Sequence, residues 1–174
     1  MEIGMSREKD QVAILKHVLG DRINLDIDNT LPEDFIFDAE KFSVKHSGSK
    51  IGTPVKAKWT SADKSVQDTI EAMITAAESY YPHLLITYID ARAKKITIIG
   101  ISSETNRSTI KEMKHGAFKI PAGNSRGIEY STTAMKRLLE KKSFVVEIND
   151  ADLTGGVDPI QRRIQLLTAA EFNP

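Results

Sequence analysis

The sequence contains no cysteine, and this absence excludes two kinds of structure. With none among 174 residues, the chain can form neither a disulfide framework nor a thiolate zinc site. The four histidines are scattered without the spacing of metal ligands. A metal centre built from cysteine or histidine is therefore not predicted.

Long apolar runs are absent as well. No stretch is long and apolar enough for a transmembrane helix, and residues 1–7 contain no hydrophobic signal-peptide segment. We therefore predict a cytoplasmic protein with no membrane partner. Its 40% hydrophobic and 28% charged content is typical of one globular domain, spanning residues 1–174.

Net charge is also lacking, because 24 basic residues balance 24 acidic ones. A neutral chain argues at first against a nucleic-acid partner, but the distribution of charge matters more than its sum. Residues 41–59 hold five lysines and no acid, and residues 105–127 hold five cations and one acid. These stretches indicate a nucleic-acid surface, and solvated loop lysines remain the alternative.

Hydrophobic periodicity predicts alternating helices and strands. Together these elements favour a mixed α/β fold with a central sheet flanked by helices. Helices are predicted at 6–19, 61–80, 103–115, 132–142 and from 158 to about 172; a hairpin at 34–45; strands at 55–60, 84–89, 95–101 and 144–148; and a loop at 116–128. The apolar face of the first helix could pack on the protein's own core or form a dimer contact.

The predicted hairpin carries the most informative pattern. Its strands alternate apolar residues on either side of Ala39-Glu40. A two-residue loop there would pair Phe37 with Phe42 and place Asp34 opposite Lys45. An acid and a lysine would then face each other at the open end of the hairpin.

Such a pair suits metal-assisted phosphodiester hydrolysis. A carboxylate can hold a divalent cation against the scissile phosphate, while a lysine orients or deprotonates the attacking water and offsets charge in the transition state. A plain cross-strand ion pair gives the same arrangement and is common on protein surfaces. The hairpin alone does not separate these alternatives.

The residues that follow extend the pattern. An acid after Pro32, a hairpin, Ser43-Val44-Lys45 and then HSGSKIGTPVKAKWTS resemble the type II restriction endonucleases of the PD-(D/E)XK superfamily. The resemblance is strongest to the small PvuII-like branch, some members of which read GC-rich sites of the GCNGC kind. A second stretch, IPAGNSRGIEYS at 120–131, is similar to the segment that such enzymes place near the base pairs.

The resemblance implies a restriction-endonuclease-like domain and a set of roles. Asp34 would be the Mg²⁺ ligand with Glu33 as a second candidate, Lys45 would activate water, and Ser43 would support the water shell of the metal. Contacts to the DNA backbone fall to His46, Lys56 and Lys58, and contacts to base edges to Asn124, Ser125 and Arg126.

One position departs from the pattern of that superfamily. Ser43 stands where an acid is usual, two residues before the lysine, and a hydroxyl is a poorer Mg²⁺ ligand than a carboxylate. The number and affinity of metal ions are therefore open.

The sequence-based hypothesis is a homodimeric, Mg²⁺-dependent, site-specific endonuclease that acts on double-stranded DNA without a small-molecule cofactor. Two other classes remain. One is a sequence-specific DNA-binding protein that has lost cleavage, and the other is a phage or structural assembly protein whose lysines are surface charge.

Overall fold

The computed structural model describes residues 12, 15–16, 20–25, 33–48, 50–123 and 127–149. These residues form nine strands: β1 (Ile23–Asn24), β2 (Phe35–Phe37), β3 (Glu40–Ser47), β4 (Lys56–Trp59), β5 (His83–Asp90), β6 (Lys95–Ile101), β7 (Phe118–Lys119), β8 (Gly127–Tyr130) and β9 (Phe144–Ile148). The helices are α1 (Val66–Ser79), α2 (Ser103–Met113) and α3 (Thr132–Glu140), with short 3₁₀ helices at Gly20–Arg22 and Lys114–Ala117.

The larger sheet contains six of these strands in the order β1-β2-β3-β5-β6-β9. Strands β3 and β5 are parallel, whereas the other neighbours are antiparallel. A parallel pair needs a long crossover, and here the chain between β3 and β5 includes β4 and α1. The predicted mixed α/β fold with a central sheet and flanking helices is confirmed.

The β2–β3 hairpin forms, but its predicted register is wrong. Phe35 pairs with Phe42 and Phe37 with Glu40, so the loop is Asp38-Ala39 rather than Ala39-Glu40. Both loop residues have positive φ, 48° and 69°, as a two-residue turn that follows the strand twist requires. The pairing therefore differs from the prediction by two residues.

Contacts from outside the hairpin favour this turn. Arg22 forms an ion pair with Asp38, and its guanidinium lies 4.5 Å from the centre of the Phe37 ring. Within the hairpin, the rings of Phe35 and Phe42 also stack, with centres 5.0 Å apart. These contacts compensate for the strained conformation of Ala39, a residue that rarely adopts positive φ.

Helix α1 begins later than predicted, because Ser65 rather than Ser61 caps it. The Ser65 hydroxyl accepts a hydrogen bond from the Asp68 N–H at 3.0 Å, and the Asp68 carboxylate accepts one from the Ser65 N–H at 3.3 Å. This reciprocal pair is a capping box. The predicted apolar stripe is confirmed, since Ile70, Met73 and Ala77 are buried.

The remaining elements follow the predictions with shorter helices. Helix α2 ends at Met113 rather than at residue 115, because Lys114 has a φ of 49° and leads into a 3₁₀ turn. Helix α3 ends at Glu140, and β9 has the predicted bounds.

A second, three-stranded sheet has the order β4-β8-β7. The predicted loop at 116–128 is therefore only partly a loop, because it contains β7 and the start of β8. Lys56 pairs with Glu129 and Lys58 with Ile128, so β4 carries one extra residue between the two lysines. This β-bulge changes which side chains of β4 share a face.

Apolar side chains cover both faces of the larger sheet. On the face that Lys45 shares with Ile86, the main core packs the sheet against the helices, through residues such as Ile110 and Leu138. On the opposite face, Val44 belongs to a smaller cluster. Val12 and Leu15 are helical and pack against that cluster, which agrees with packing of the first predicted helix on its own core.

Several predictions lie outside the described residues: most of the helix at 6–19, the loop residues Asn124, Ser125 and Arg126, and the chain after Asn149 with the helix predicted from 158. Within the described part of the chain, no helix is long and apolar enough to cross a membrane.

Candidate active site

Asp34 lies immediately before β2, where the chain enters the hairpin. Its Oδ2 accepts a hydrogen bond from the Val44 N–H at 2.6 Å and another from the Ser43 hydroxyl at 3.0 Å. The Asp34 N–H donates to the Phe42 carbonyl at 2.7 Å, outside the regular pairing of Phe35 with Phe42. The backbone and the carboxylate of Asp34 are therefore both fixed against β3.

Lys45 completes the pair that the sequence predicts. Its Nζ lies 3.6 Å from Asp34 Oδ2, and its side chain is 11% exposed, against 32% for Asp34. Ser43 and Lys45 are two residues apart on a strand and share one face. The carboxylate of Asp34 therefore contacts Ser43 and Lys45, two side chains on the same face of β3.

Glu33 has a different partner. Its carboxylate Oε1 lies 2.6 Å from Lys41 Nζ, and its side chain is only 2% exposed. The two groups are close but not aligned as a hydrogen bond, so the contact is an ion pair. The Lys41 ammonium also lies 5.3 Å from the centre of the Tyr80 ring. The second predicted metal ligand is thus paired with Lys41 rather than Lys45.

Lys58 belongs to the same neighbourhood. Burial lowers the pKa of Lys58, the nearby ammonium of Lys64 lowers it further, and Lys45 acts in the same direction. The carboxylate of Glu33 opposes these effects. We call Glu33, Asp34, Lys41, Lys45 and Lys58 the acid–lysine cluster; its two carboxylates and three ammonium groups leave it one net positive charge.

Tyr80 borders the cluster and titrates late. Burial raises the pKa of Tyr80 to about 12, and the carboxylates of Glu33 and Glu40 contribute. Its hydroxyl donates to the Lys41 carbonyl at 3.4 Å. Tyr80 is thus a neutral hydrogen-bond donor at physiological pH.

Lys56 and Trp59 lie together on β4. The Lys56 ammonium is 3.2 Å from the centre of the Trp59 ring, which is a cation–π contact. Trp59 is 41% exposed. In a regular strand residues 56 and 59 would point to opposite sides, and the bulge between Lys56 and Lys58 brings them together.

The structure does not bring His46 to the cluster. His46 follows Lys45 on β3 and points to the opposite face of the sheet, and its Nε2 is buried. The candidate base-reading residues 124–126 lie outside the described residues, but the strand after them is placed. Gly127 pairs with Trp59, so the loop ends beside the Lys56–Trp59 pair.

The donor groups of the cluster could bind Mg²⁺ only if substrate phosphates and water supplied the remaining ligands. In the described residues no group of three histidine or acidic side chains could hold a metal ion. Mg²⁺ is commonly bound through one or two carboxylates, several waters and substrate phosphates. The partly exposed carboxylate of Asp34 meets that requirement.

The cluster combines a fixed carboxylate with ammonium groups on one face of a sheet. Such a set can hold a cation, bind a phosphate and stabilise the extra negative charge of a phosphoryl transition state. Because Lys45 is mostly buried beside Asp34, its charge is poorly screened by water.

Sequence reasoning missed three residues of this region: Lys41, Trp59 and Tyr80. For Lys41 a signal was present, because Lys41, Ser43 and Lys45 alternate and so share a face. Tyr80 is far from Lys41 along the chain, and no local pattern predicts their contact.

Comparison with known proteins yields one informative match. A solved structure described as "Restriction endonuclease in complex with substrate DNA" matches 97% of this chain and 81% of its own, at 21% identity and with a TM-score of 0.67. No protein-family model matches the sequence, and no curated protein does either. The match shows that the fold is restriction-endonuclease-like, as the resemblance implied.

Proposed function

We propose that this protein is a Mg²⁺-dependent, site-specific endonuclease that hydrolyses phosphodiester bonds of double-stranded DNA. The observation that carries the proposal is the contact of 3.6 Å between Lys45 Nζ and Asp34 Oδ2. It joins two residues that the predicted motif pairs, in a restriction-endonuclease-like fold. The solved structure of similar fold is a restriction endonuclease bound to its substrate DNA, which supports the same activity here.

Each residue of the cluster has a separate proposed role in the reaction. Asp34 would hold Mg²⁺, which supplies Lewis-acid polarisation of the scissile phosphate. Lys45 orients the attacking water or takes its proton, and its charge opposes the charge that develops on the phosphate. The Ser43 hydroxyl and the Val44 N–H hold the Asp34 carboxylate in place. Glu33 keeps Lys41 within the cluster, where it adds positive charge.

Cleavage of both strands within one complex calls for two such sites, so we propose a homodimer. We also propose a short GC-rich site of the GCNGC kind and membership of the PvuII-like branch, because the segment at 120–131 is similar to that branch. Asn124, Ser125 and Arg126 are the residues proposed to contact base edges, and Arg126 can donate two parallel hydrogen bonds to guanine. Lys56 and Lys58 would contact phosphates, which positions the protein without reading sequence.

Incubation with a long duplex, with and without Mg²⁺, tests the proposal. A site-specific nuclease gives discrete fragments that disappear when the metal is chelated. A mobility shift without cleavage identifies a DNA-binding protein, and neither effect indicates an assembly protein. Sequencing the fragment ends would give the recognition site, and sedimentation of the protein–DNA complex would give the number of protomers.

A second function has one observation in its favour. Ser43 stands beside Asp34 where a second carboxylate is usual in the superfamily, and its hydroxyl donates to Asp34 at 3.0 Å. A DNA-binding protein that has lost cleavage would show this change. The duplex experiment separates the two, since only the nuclease produces new ends.

A further inference from the structure

Trp59 is the only tryptophan in the chain, and its position is unusual for so large an aromatic residue. It lies at the end of β4, an edge strand of the smaller sheet, and is 41% exposed. Exposed apolar area of this kind marks a binding surface when other features point to the same partner.

Three such features are present. Lys56 places its ammonium 3.2 Å from the centre of the Trp59 ring. Lys58, the residue before Trp59, lies in the electrostatic neighbourhood of Lys45 and Glu33. Gly127, which ends the candidate base-reading loop, pairs with Trp59. Strand β4 therefore borders the acid–lysine cluster through Lys58 and that loop through Trp59. Trp59 pairs with Gly127 and Lys56 with Glu129, so both side chains project from the face of β4 opposite Lys58.

The bulge in β4 gives a reason for this arrangement. Without the extra residue between Lys56 and Lys58, Lys56 and Trp59 would point to opposite sides of the strand. Bulges often aim a side chain beside an active site. Here the bulge builds one surface from a flat aromatic face and a positive charge.

We propose that Trp59 packs against a sugar or base of the DNA that flanks the cleavage site, while the Lys56 ammonium contacts an adjacent phosphate. A polyanion with flat nucleobase and sugar faces complements an aromatic ring that carries a cation. The inference rests on the proposed function. Trp59 would act as a positioning residue that holds the flanking DNA without touching the reacting atoms.

The unmodified protein provides the first test, because all indole fluorescence comes from Trp59. Titration with a short duplex in metal-free buffer should quench or shift this emission, with the midpoint that an independent mobility-shift assay gives. Collisional quenching by acrylamide should fall in the complex. If the mobility shift shows binding while emission and acrylamide quenching stay unchanged, the inference is overturned and the proposed function stands.

Substitutions provide the second test. Trp59→Ala should weaken DNA binding about 5-fold or more, the loss expected for one aromatic stack, whereas Trp59→Phe should keep most of the affinity. Lys56→Gln should lower the salt slope of binding by about one. Lys142→Gln, which removes a charge after α3, is the matched control and should leave binding unchanged.

The outcomes separate the two proposals. Equal affinity of Trp59→Ala and the unmodified protein overturns the role of Trp59 alone. Absence of binding and of cleavage in the unmodified protein overturns both proposals. Far-ultraviolet circular dichroism of each variant verifies folding, and the fluorescence titration needs no variant.

Discussion

Substitution of the adjacent residues Glu33 and Asp34, whose carboxylates have different partners, directly tests the proposed active site. Asp34 is held by Ser43, Val44 and Lys45, whereas Glu33 is paired with Lys41. The substitutions Asp34→Asn and Glu33→Gln each remove one charge and preserve size. We expect Asp34→Asn to abolish cleavage and Glu33→Gln to retain it, because only Asp34 contacts Lys45.

The structure allows the expected loss of cleavage rate in Asp34→Asn to be estimated. An asparagine oxygen can still accept the bonds from the Val44 N–H and the Ser43 hydroxyl, so the hairpin keeps its geometry. What is lost is the charge that would hold the cation and balance Lys45. A metal contributes several kcal/mol of transition-state stabilisation, and about 3 kcal/mol corresponds to a fall of about 100-fold in rate.

Glu33→Gln should instead lower the free energy of unfolding. Glu33 is 2% exposed, but Lys41 is 38% exposed and can turn towards water when its partner is lost. Loss of a contact to a charged group then costs about 1–3 kcal/mol. For a chain of this length the melting temperature should fall by roughly 2–12 °C, with cleavage measured well below that temperature.

Single-turnover cleavage with protein in excess is the appropriate assay, since it reports the chemical step without product release. Binding of both variants to the same duplex is measured in parallel. A Glu33→Gln protein that fails to cut beside an Asp34→Asn protein that cuts normally would refute the reasoning. If neither variant cuts, both carboxylates are required, and Lys41 must release Glu33 when DNA binds.

Further predictions follow from the same contacts. Lys45→Met, which keeps the apolar stem, should reduce single-turnover cleavage about 100-fold and leave DNA binding largely intact; retention of more than about a tenth of the rate would contradict this role. Ser43→Asp should destabilise the metal-free protein, because it places a second carboxylate beside Asp34, and should lower the Mg²⁺ concentration needed for cleavage; a rise in that concentration would show that the hydroxyl has a role of its own. All four tyrosines have a raised pKa, mainly through burial, so the unfolded chain loses phenolic protons from about pH 10 while the folded protein keeps them. The free energy of unfolding should therefore fall as the pH rises from about 10 towards 12. The tyrosinate absorbance of the folded protein should show no transition near pH 10, and a transition there would contradict the burial of these rings. The four residues are Tyr80, Tyr81, Tyr88 and Tyr130.

Local patterns were sufficient for the elements that build the larger sheet. The alternating and continuous apolar runs of β6 and β9 predict their bounds, because such runs depend on residues close in sequence. The start of α1 could also have been predicted correctly from the sequence. Ser65 and Asp68 have the spacing of a capping box, and only the earlier serine at 61 obscured it.

Contacts between distant residues explain what local patterns could not predict. The turn at Asp38-Ala39 is favoured by Arg22, and no feature of the hairpin itself indicates that ion pair. The short strands β7 and β8 are held by pairing with each other and with β4. Their sequences are too short for period-two alternation to separate them from a loop.

The predicted contact between Asp34 and Lys45 forms although the predicted register is wrong, and the reason is geometric. Side chains of a strand alternate with a period of two, so a shift of two residues leaves every side chain on its original face. Asp34 moved from the predicted position opposite Lys45 to a position where its carboxylate accepts a hydrogen bond from the Ser43 hydroxyl, and Ser43 and Lys45 share one face. The long lysine side chain spans the remaining distance and brings Nζ within 3.6 Å of the carboxylate. A shift of one residue would have separated the pair across the sheet, so the contact depends on the parity of the register rather than on the exact turn.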